Sequence, residues 1–208
     1  ENEYDPVVAS TIGVGQMLIY AEEQGAREIV IGIGGSATND GGSGMAKAYG
    51  YRFEDANGQP VDNVPDQLQR AVVLRQPPNF VVPKVTIACD VTNPLLGATG
   101  ATYIYAKQKG ASSDELPALE SRMEHLADLV LAGIGCDHRD VAGAGAAGGL
   151  GFGLMSFLGA SLRPGFALLA EILQIEDRIA AADAVITGEG SIDAQTCNGK
   201  APMGVATI

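Results

Sequence analysis

Four carboxylates follow short apolar runs. Asp40 comes after Ile29-Val30-Ile31-Gly32-Ile33, Asp90 after Val85-Thr86-Ile87-Ala88-Cys89, and Glu189 with Asp193 after Ala184-Val185-Ile186-Thr187. The first run leads into Gly34-Gly35-Ser36-Ala37-Thr38-Asn39-Asp40-Gly41-Gly42, a mixture of glycines and small side-chain donors. Glycine admits positive φ and lets a ligand come close to the backbone. A helix starting near Gly42 would offer unpaired N–H groups to an anion, with Ser36, Thr38 and Asn39 as further donors. Asp40 fits less easily, because a carboxylate repels phosphate unless a metal or proton lies between them. A plain strand-to-helix turn, with Asn39 or Asp40 capping the helix, accounts for the same residues. No Gly-Lys-Ser/Thr follows, so the loop is not of the Walker type.

The candidate cations are Lys107, Lys109 and Lys200, each in or beside a loop, and each alone also reads as a solvated side chain. Carboxylates beside glycine-rich anion loops suit phosphoryl transfer. One can take a hydroxyl proton while others hold magnesium that bridges phosphates. Gly143-Ala144-Gly145-Ala146-Ala147-Gly148 matches Gly-x-Gly-x-x-Gly, but the preceding Asp137-His138-Arg139-Asp140 makes a poor strand, and a dinucleotide fingerprint needs one. A second anion-binding turn, a close helix-packing element and an NAD site all remain open for it. Cys89 as a nucleophile would need His125 or His138 as its base, and an inert buried thiol accounts for it as well.

These residues need elements to position them. The apolar runs at 28–33, 85–89 and 184–187 read as buried strands, and 51–53 and 101–106 as two more. Met17, Leu18 and Ala21 give a helix face ended by Gly25, and Met45 and Tyr49 a short helix closed by Gly50. Asn57-Gly58 reads as a hairpin turn, 91–100 as loop, and 62–79 carries no clear pattern. Ser112 and Glu115 have capping-box spacing before a helix that reaches about residue 132, with Leu119, Met123, Leu126 and Val130 as its buried stripe. The loop at 143–151 leads into a helix around 154–158, Arg163-Pro164-Gly165 breaks it, and 166–173 is helical again. Strands alternating with helices predict an α/β fold, with a mixed or mostly parallel sheet and flanking helices. In such sheets ligands sit beyond the carboxyl ends of the strands.

The chain has 208 residues, 46% hydrophobic, and a formal net charge of -12. Such an acidic balance excludes nucleic-acid or anionic-membrane binding through bulk charge, so an anionic ligand needs a local site. The apolar runs are too short to span a bilayer and no secretory signal is visible. Cys89, Cys136 and Cys197 lack zinc-ligand spacing and fit unpaired thiols in a reducing cytoplasm. The 28 glycines cluster at four places instead of spreading as a linker. The start at Glu1 and the stop at Ile208, straight after an apolar stretch, read as part of a longer protein.

Taken together, the motifs resemble bacterial glycerate kinases of the glycerate 2-kinase type. The matching runs are Ile31-Gly32-Ile33-Gly34-Gly35-Ser36-Ala37-Thr38-Asn39-Asp40-Gly41-Gly42, Ala88-Cys89-Asp90-Val91-Thr92-Asn93-Pro94-Leu95 and Gln108-Lys109-Gly110-Ala111. They continue with Gly143-Ala144-Gly145-Ala146-Ala147-Gly148-Gly149, Ile186-Thr187-Gly188-Glu189-Gly190 with Ile192-Asp193, and Gly199-Lys200-Ala201-Pro202. The order and length of these runs, over essentially the whole chain, carry the resemblance.

The resemblance implies ATP-dependent, magnesium-requiring phosphorylation of D-glycerate, with 2-phosphoglycerate as the product of the subfamily. It implies a two-lobed parent with its site in the cleft. Residues 1–183 would form the distinct α/β lobe, and 184–208 its end or the return to a Rossmann-like lobe. The remaining lobe, with the family's Asp-Ser-Phe-Lys motif, is expected as a partner, and a homo-oligomer is an option. Asp90, Asp193, Lys109 and Lys200 are the expected catalytic residues. Gly34, Gly35, Ser36, Asn39, Asp40, Gly41, Gly42, Asn93, Gly188, Glu189 and Gly190 are expected to bind substrate or phosphate, and Asp90, Glu189 and Asp193 magnesium. Two departures from the family pattern stand out: Ser191 replaces its usual arginine, and Lys107 its usual proline. A non-catalytic anion-binding unit is the alternative for this chain by itself.

Overall fold

In a computed structural model, residues 5–62, 64–78, 80–188, 190 and 201–208 are described. The fold is α/β, with a parallel sheet flanked by helices. Its first strand, β1 (Glu28–Gly32), follows helix α1 (Ile12–Glu23), which ends before Gly25 at φ 90°. Helix α2 (Ser43–Ala48) then packs on α1 and leads to strands β2 (Arg52–Glu54) and β3 (Val73–Arg75), an antiparallel pair. The Asn57-Gly58 turn is present, with Gly58 N–H on the Asp55 carbonyl and Asn57 N–H on the Asp55 carboxylate.

Strand β4 (Lys84–Ala88) pairs in parallel with β1, Gly32 opposite Ala88, and with β5 (Ser161–Arg163), giving the order β1-β4-β5. The central strand buries Val85, Thr86 and Ile87, as expected for a strand covered on both faces.

Two expectations are corrected, and one strand is added. Residues 101–106 are not a strand: Ala101–Tyr105 is helix α3, continued by a 3-10 turn at Lys107–Lys109. β-Branched and aromatic residues favour a strand locally, but the small side chains of Ala101 and Thr102 are fully buried, and α3 packs on later helices. Tertiary packing overrides the weaker local preference. Residues 184–187 form no strand, and Ile186 is 98% exposed. Strand β5 escapes sequence reading because it is only three residues long, Ser161, Leu162 and Arg163, just before Pro164. On the helix face that Met17 shares with Leu18, Leu18 is buried and Met17 exposed.

Helix α4 (Leu116–Ile134) buries Leu119, Met123, Leu126 and Val130, the predicted stripe. The Glu115 carboxylate accepts both Ser112 N–H and Ser112 Oγ at 2.8 Å, so the pair closes the turn ahead of the helix. Helix α5 (Ala146–Leu158) opens with a left-handed stretch, Ala147 (φ 54°), Gly148 (φ 68°) and Gly149 (φ 84°), before running regularly. Helices α6 (Gly165–Ile172) and α7 (Ile175–Ala180) follow β5, and α8 (Ala201–Thr207) lies against α6.

Candidate active site

Parallel pairing in register carries the carboxyl ends of β1 and β4 to the same edge of the sheet. The segments just past them, Ile33-Gly34-Gly35-Ser36 and Cys89-Asp90-Val91, form two walls of a cavity of about 340 Å³. The end of α3 and its 3-10 turn add Tyr105, Gln108 and Lys109, and the left-handed start of α5 adds Ala146 and Ala147. The topology thus brings two of the three predicted strand-end loops into one concave site.

Lys109 is the cation of this site. It is only 6% exposed, so the solvated alternative does not apply. Its Nζ donates to Ser36 Oγ at 2.8 Å and to the Thr38 carbonyl at 2.9 Å. Burial pulls its pKa down to about 8, against the attraction of Asp40, which raises it. An ammonium held by neutral oxygens in a cavity wall is short of negative charge, and an anionic ligand would supply it.

Asp90 is exposed at the end of β4, and its Oδ1 accepts the Gly165 N–H that begins α6, at 2.8 Å. The carboxylate therefore caps a helix and lines the cavity at once. Tyr105 donates its hydroxyl to Asn93 Oδ1 at 2.6 Å, and burial raises its pKa, with Cys89 adding to the shift. The Cys89 thiol bonds to the Val91 carbonyl and has its pKa raised by burial and by Asp90. A thiol held in its protonated form matches the inert alternative.

The expected site residues divide into three groups. Gly34, Gly35, Ser36, Asp90 and Lys109 line the cavity. Asn39, Asp40, Gly41 and Gly42 do not; they are buried behind it. Asp40 accepts Thr11 N–H and Oγ1 at 2.8 Å, Gly42 N–H at 3.1 Å and Gly44 N–H at 3.2 Å. It ties α1 to the start of α2, in line with the capping alternative. Burial pushes its pKa up, against four hydrogen bonds that favour the ionised form. Gly41 lies against Met123 and Leu126 and Gly42 against Gly153, so both serve close packing. The Asn93 side chain bonds to the Tyr105 hydroxyl and the Thr99 carbonyl.

Gly188 and Gly190 are exposed and do not line the cavity. Glu189, Asp193, Lys200 and the unusual Ser191 lie outside the described residues. Lys107 is exposed. The glycines at 143–149 follow no strand, which a dinucleotide fingerprint needs, and press on Thr38, Asn39, Gly41 and Pro94, in line with the close-packing alternative.

Sequence reasoning missed Arg122, which is 6% exposed within α4. Its guanidinium donates to the carbonyls of Val7 (2.7 Å), Asn39 (3.1 Å) and Pro6 (3.3 Å). A signal was present: Arg122 falls three residues after Leu119 and four before Leu126, on the apolar stripe itself.

Among the described residues no group of three or more His, Cys, Asp or Glu side chains is placed to hold a metal, and Asp90 is their one carboxylate at the cavity. Magnesium is commonly held by one or two carboxylates with phosphate and water completing its shell. Asp90 at the cavity fits that pattern as one such carboxylate, and Glu189 and Asp193, the other expected ligands, lie outside the described residues. No helix among the described residues is long and apolar enough to cross a membrane.

The chain is 43% identical over 207 residues to glycerate 2-kinase of Escherichia coli K12, covering 98% of this chain and 54% of that protein. It is 44% identical over 205 residues to a glycerate kinase of Halalkalibacterium halodurans, covering 97% and 54%. A crystal structure from Salmonella typhimurium LT2, provisionally named glycerate kinase 2, superimposes with a TM-score of 0.87 at 39% identity, covering 99% of this chain and 55% of that one. The chain thus spans about half the length of the curated relatives it matches. The glycerate kinase family matches across residues 1–208, and the chain belongs to that family.

Proposed function

We propose that the protein phosphorylates D-glycerate with ATP and magnesium, giving 2-phosphoglycerate, and that this chain supplies part of the site. Lys109 carries the reading: a buried ammonium in a cavity wall, beside Gly34, Gly35 and Ser36 and across the strand ends from Asp90. Magnesium, when bound with the nucleotide, would neutralise charge on its phosphates. Asp90 accepts the proton of the attacking glycerate hydroxyl as that oxygen bonds to the γ-phosphorus and the bond to ADP breaks. Lys109 donates to the transferring phosphoryl group, and the Gly34-Gly35 backbone leaves room for its oxygens.

Asp193, Glu189 and Lys200 are proposed to complete the magnesium and phosphate contacts. Residues 1–183 are read as one lobe and 184–208 as its end or the way back to the other. Unpaired thiols at Cys89 and Cys136 support a reducing cytoplasm.

A second reading rests on the 54% coverage of the relatives: the 208 residues alone bind ligand without turnover. A coupled ADP-release assay with D-glycerate and Mg-ATP, run on this chain and on the full-length protein, separates the two. Turnover by the full-length protein alone supports a shared site. Absence of turnover in both, with calorimetric binding of neither ATP nor glycerate, overturns the kinase reading.

A further inference from the structure

We infer that Asn39, Thr102 and Arg122 are positioning residues that act through Lys109, by fixing both the loop that receives its ammonium and the helix that carries it. This rests on Lys109 having the role proposed above.

Two placements decide where the Lys109 Nζ sits. One is the position of its own backbone, at the end of the 3-10 turn that continues α3. The other is the position of its acceptors, Ser36 Oγ and the Thr38 carbonyl. Asn39 connects both. Its Nδ2 donates to Thr102 Oγ1 on α3 at 3.3 Å, and its carbonyl accepts Arg122 Nη2 at 3.1 Å. Asn39 is 1% exposed and Thr102 fully buried, so water does not replace these bonds.

Arg122 anchors the group to the rest of the fold. The carbonyls it takes from Pro6 and Val7 come from the chain's first described turn, and the one from Asn39 from the loop beside the cavity. On the apolar stripe of α4 a hydrophobic side chain would avoid the desolvation of a guanidinium. What the guanidinium adds is a rigid planar fork that holds separate backbone segments in one geometry.

Asn39 Oδ1 and Arg122 Nε are buried without a partner. A network selected for stability alone leaves few such atoms. This one gives up two of them while keeping the contacts that bear on Lys109. On the opposite side the loop is held by Gly148, whose carbonyl accepts Gly41 N–H at 3.0 Å.

The test is a double-mutant cycle in the full-length protein, reading kcat and KM for Mg-ATP and D-glycerate, with Mg-ATP affinity by calorimetry as a second readout. Thr102→Val keeps the shape of the side chain and removes the hydroxyl. It is expected to lower kcat about tenfold, in line with the cost of a misplaced catalytic group. Thr102→Ser should restore it to about twofold of wild type. In a Lys109→Met background Thr102→Val should have no further effect on kcat or on Mg-ATP affinity, because interacting sites are not additive.

Equal losses in both backgrounds, or a Thr102→Ser variant as impaired as Thr102→Val, would overturn the inference and leave the kinase reading intact. A Lys109→Met enzyme with wild-type turnover and Mg-ATP affinity would overturn the inference together with the role proposed for Lys109. Should Thr102→Val not fold, Arg122→Lys, which keeps the charge and loses the fork, carries the same cycle with the same outcomes.

Discussion

Gly148 lies directly beneath the carbonyl of Thr38, with no room for a side-chain carbon between them. That carbonyl is also an acceptor of the Lys109 ammonium, at 2.9 Å. The left-handed opening of α5 thus sets the height of the loop that faces the cavity. Gly148→Ala would place a Cβ against a fixed backbone oxygen at φ 68°. A loss of about 3 kcal/mol or more is expected, from strain at positive φ and overpacking combined. Urea denaturation would measure it, and an unchanged midpoint would show that the loop can yield.

The depressed pKa of Lys109, about 8 against 10.5, makes stability depend on pH in a defined direction. Between these values the unfolded chain binds more protons at this residue than the folded one, so stability rises with pH. Below pH 8 the folded protein carries the full cost of a buried charge. Relative to Lys109→Met, the wild-type protein should gain on the order of 2–3 kcal/mol on going from pH 7 to pH 10.5. Parallel thermal melts of the two proteins across that range would check it, and parallel curves would argue against a buried charged lysine.

Asp40 receives four hydrogen bonds that bind α1, the glycine loop and α2 together. Asp40→Asn turns one acceptor into a donor facing donors. A loss of about 3–5 kcal/mol is expected, the usual cost of breaking a buried charged network. Removing the carboxylate should also lower the pKa of Lys109 further, since Asp40 raises it. Denaturant titration, with pH-dependent labelling of Lys109, reads both effects.

Asp90 has two roles that one pair of variants can separate. Asp90→Asn retains an oxygen for the Gly165 N–H, and asparagine caps helices as well as aspartate does, so stability should stay within about 0.5 kcal/mol. Asp90→Ala should cost about 1 kcal/mol through the lost cap. Turnover of the full-length protein should fall by roughly 100-fold or more in both, the scale of a lost general base. Full turnover in Asp90→Asn would leave Asp90 as a cap alone.

The legible parts of the fold were those where one local pattern decides the outcome. β1 and β4 are short apolar runs closed by a glycine loop and by Asp90, and α4 carries an apolar stripe from Leu119 to Val130. Thr102, Tyr103, Ile104 and Tyr105 mislead because their local preference is opposed by contacts with segments distant in sequence. The candidate site was legible as residue types, and the division of labour within it was not. Ser36 and Asn39 stand three apart in one loop, yet Ser36 faces the cavity and Asn39 faces α3. Only the turn of the backbone between them separates a ligand contact from a support. Arg122 remained hidden because a lone charged residue in a helix usually points to solvent.

The cavity's walls come from residues 33–36, 88–91, 105 with 108–109, and 146–147, four stretches kept far apart by the chain order. No hairpin or helix pair can form such a site early and keep it, because closing these loops is among the slower events of folding. The cavity comes into being only with the finished fold, and any anion that occupies it acts as a thermodynamic lock on the whole unit. At a hundredfold excess over its dissociation constant a bound ligand would add about 2.7 kcal/mol to global stability. A rise in melting temperature across a panel of small phosphates and hydroxy acids therefore ranks the occupants of this site without any assay of turnover.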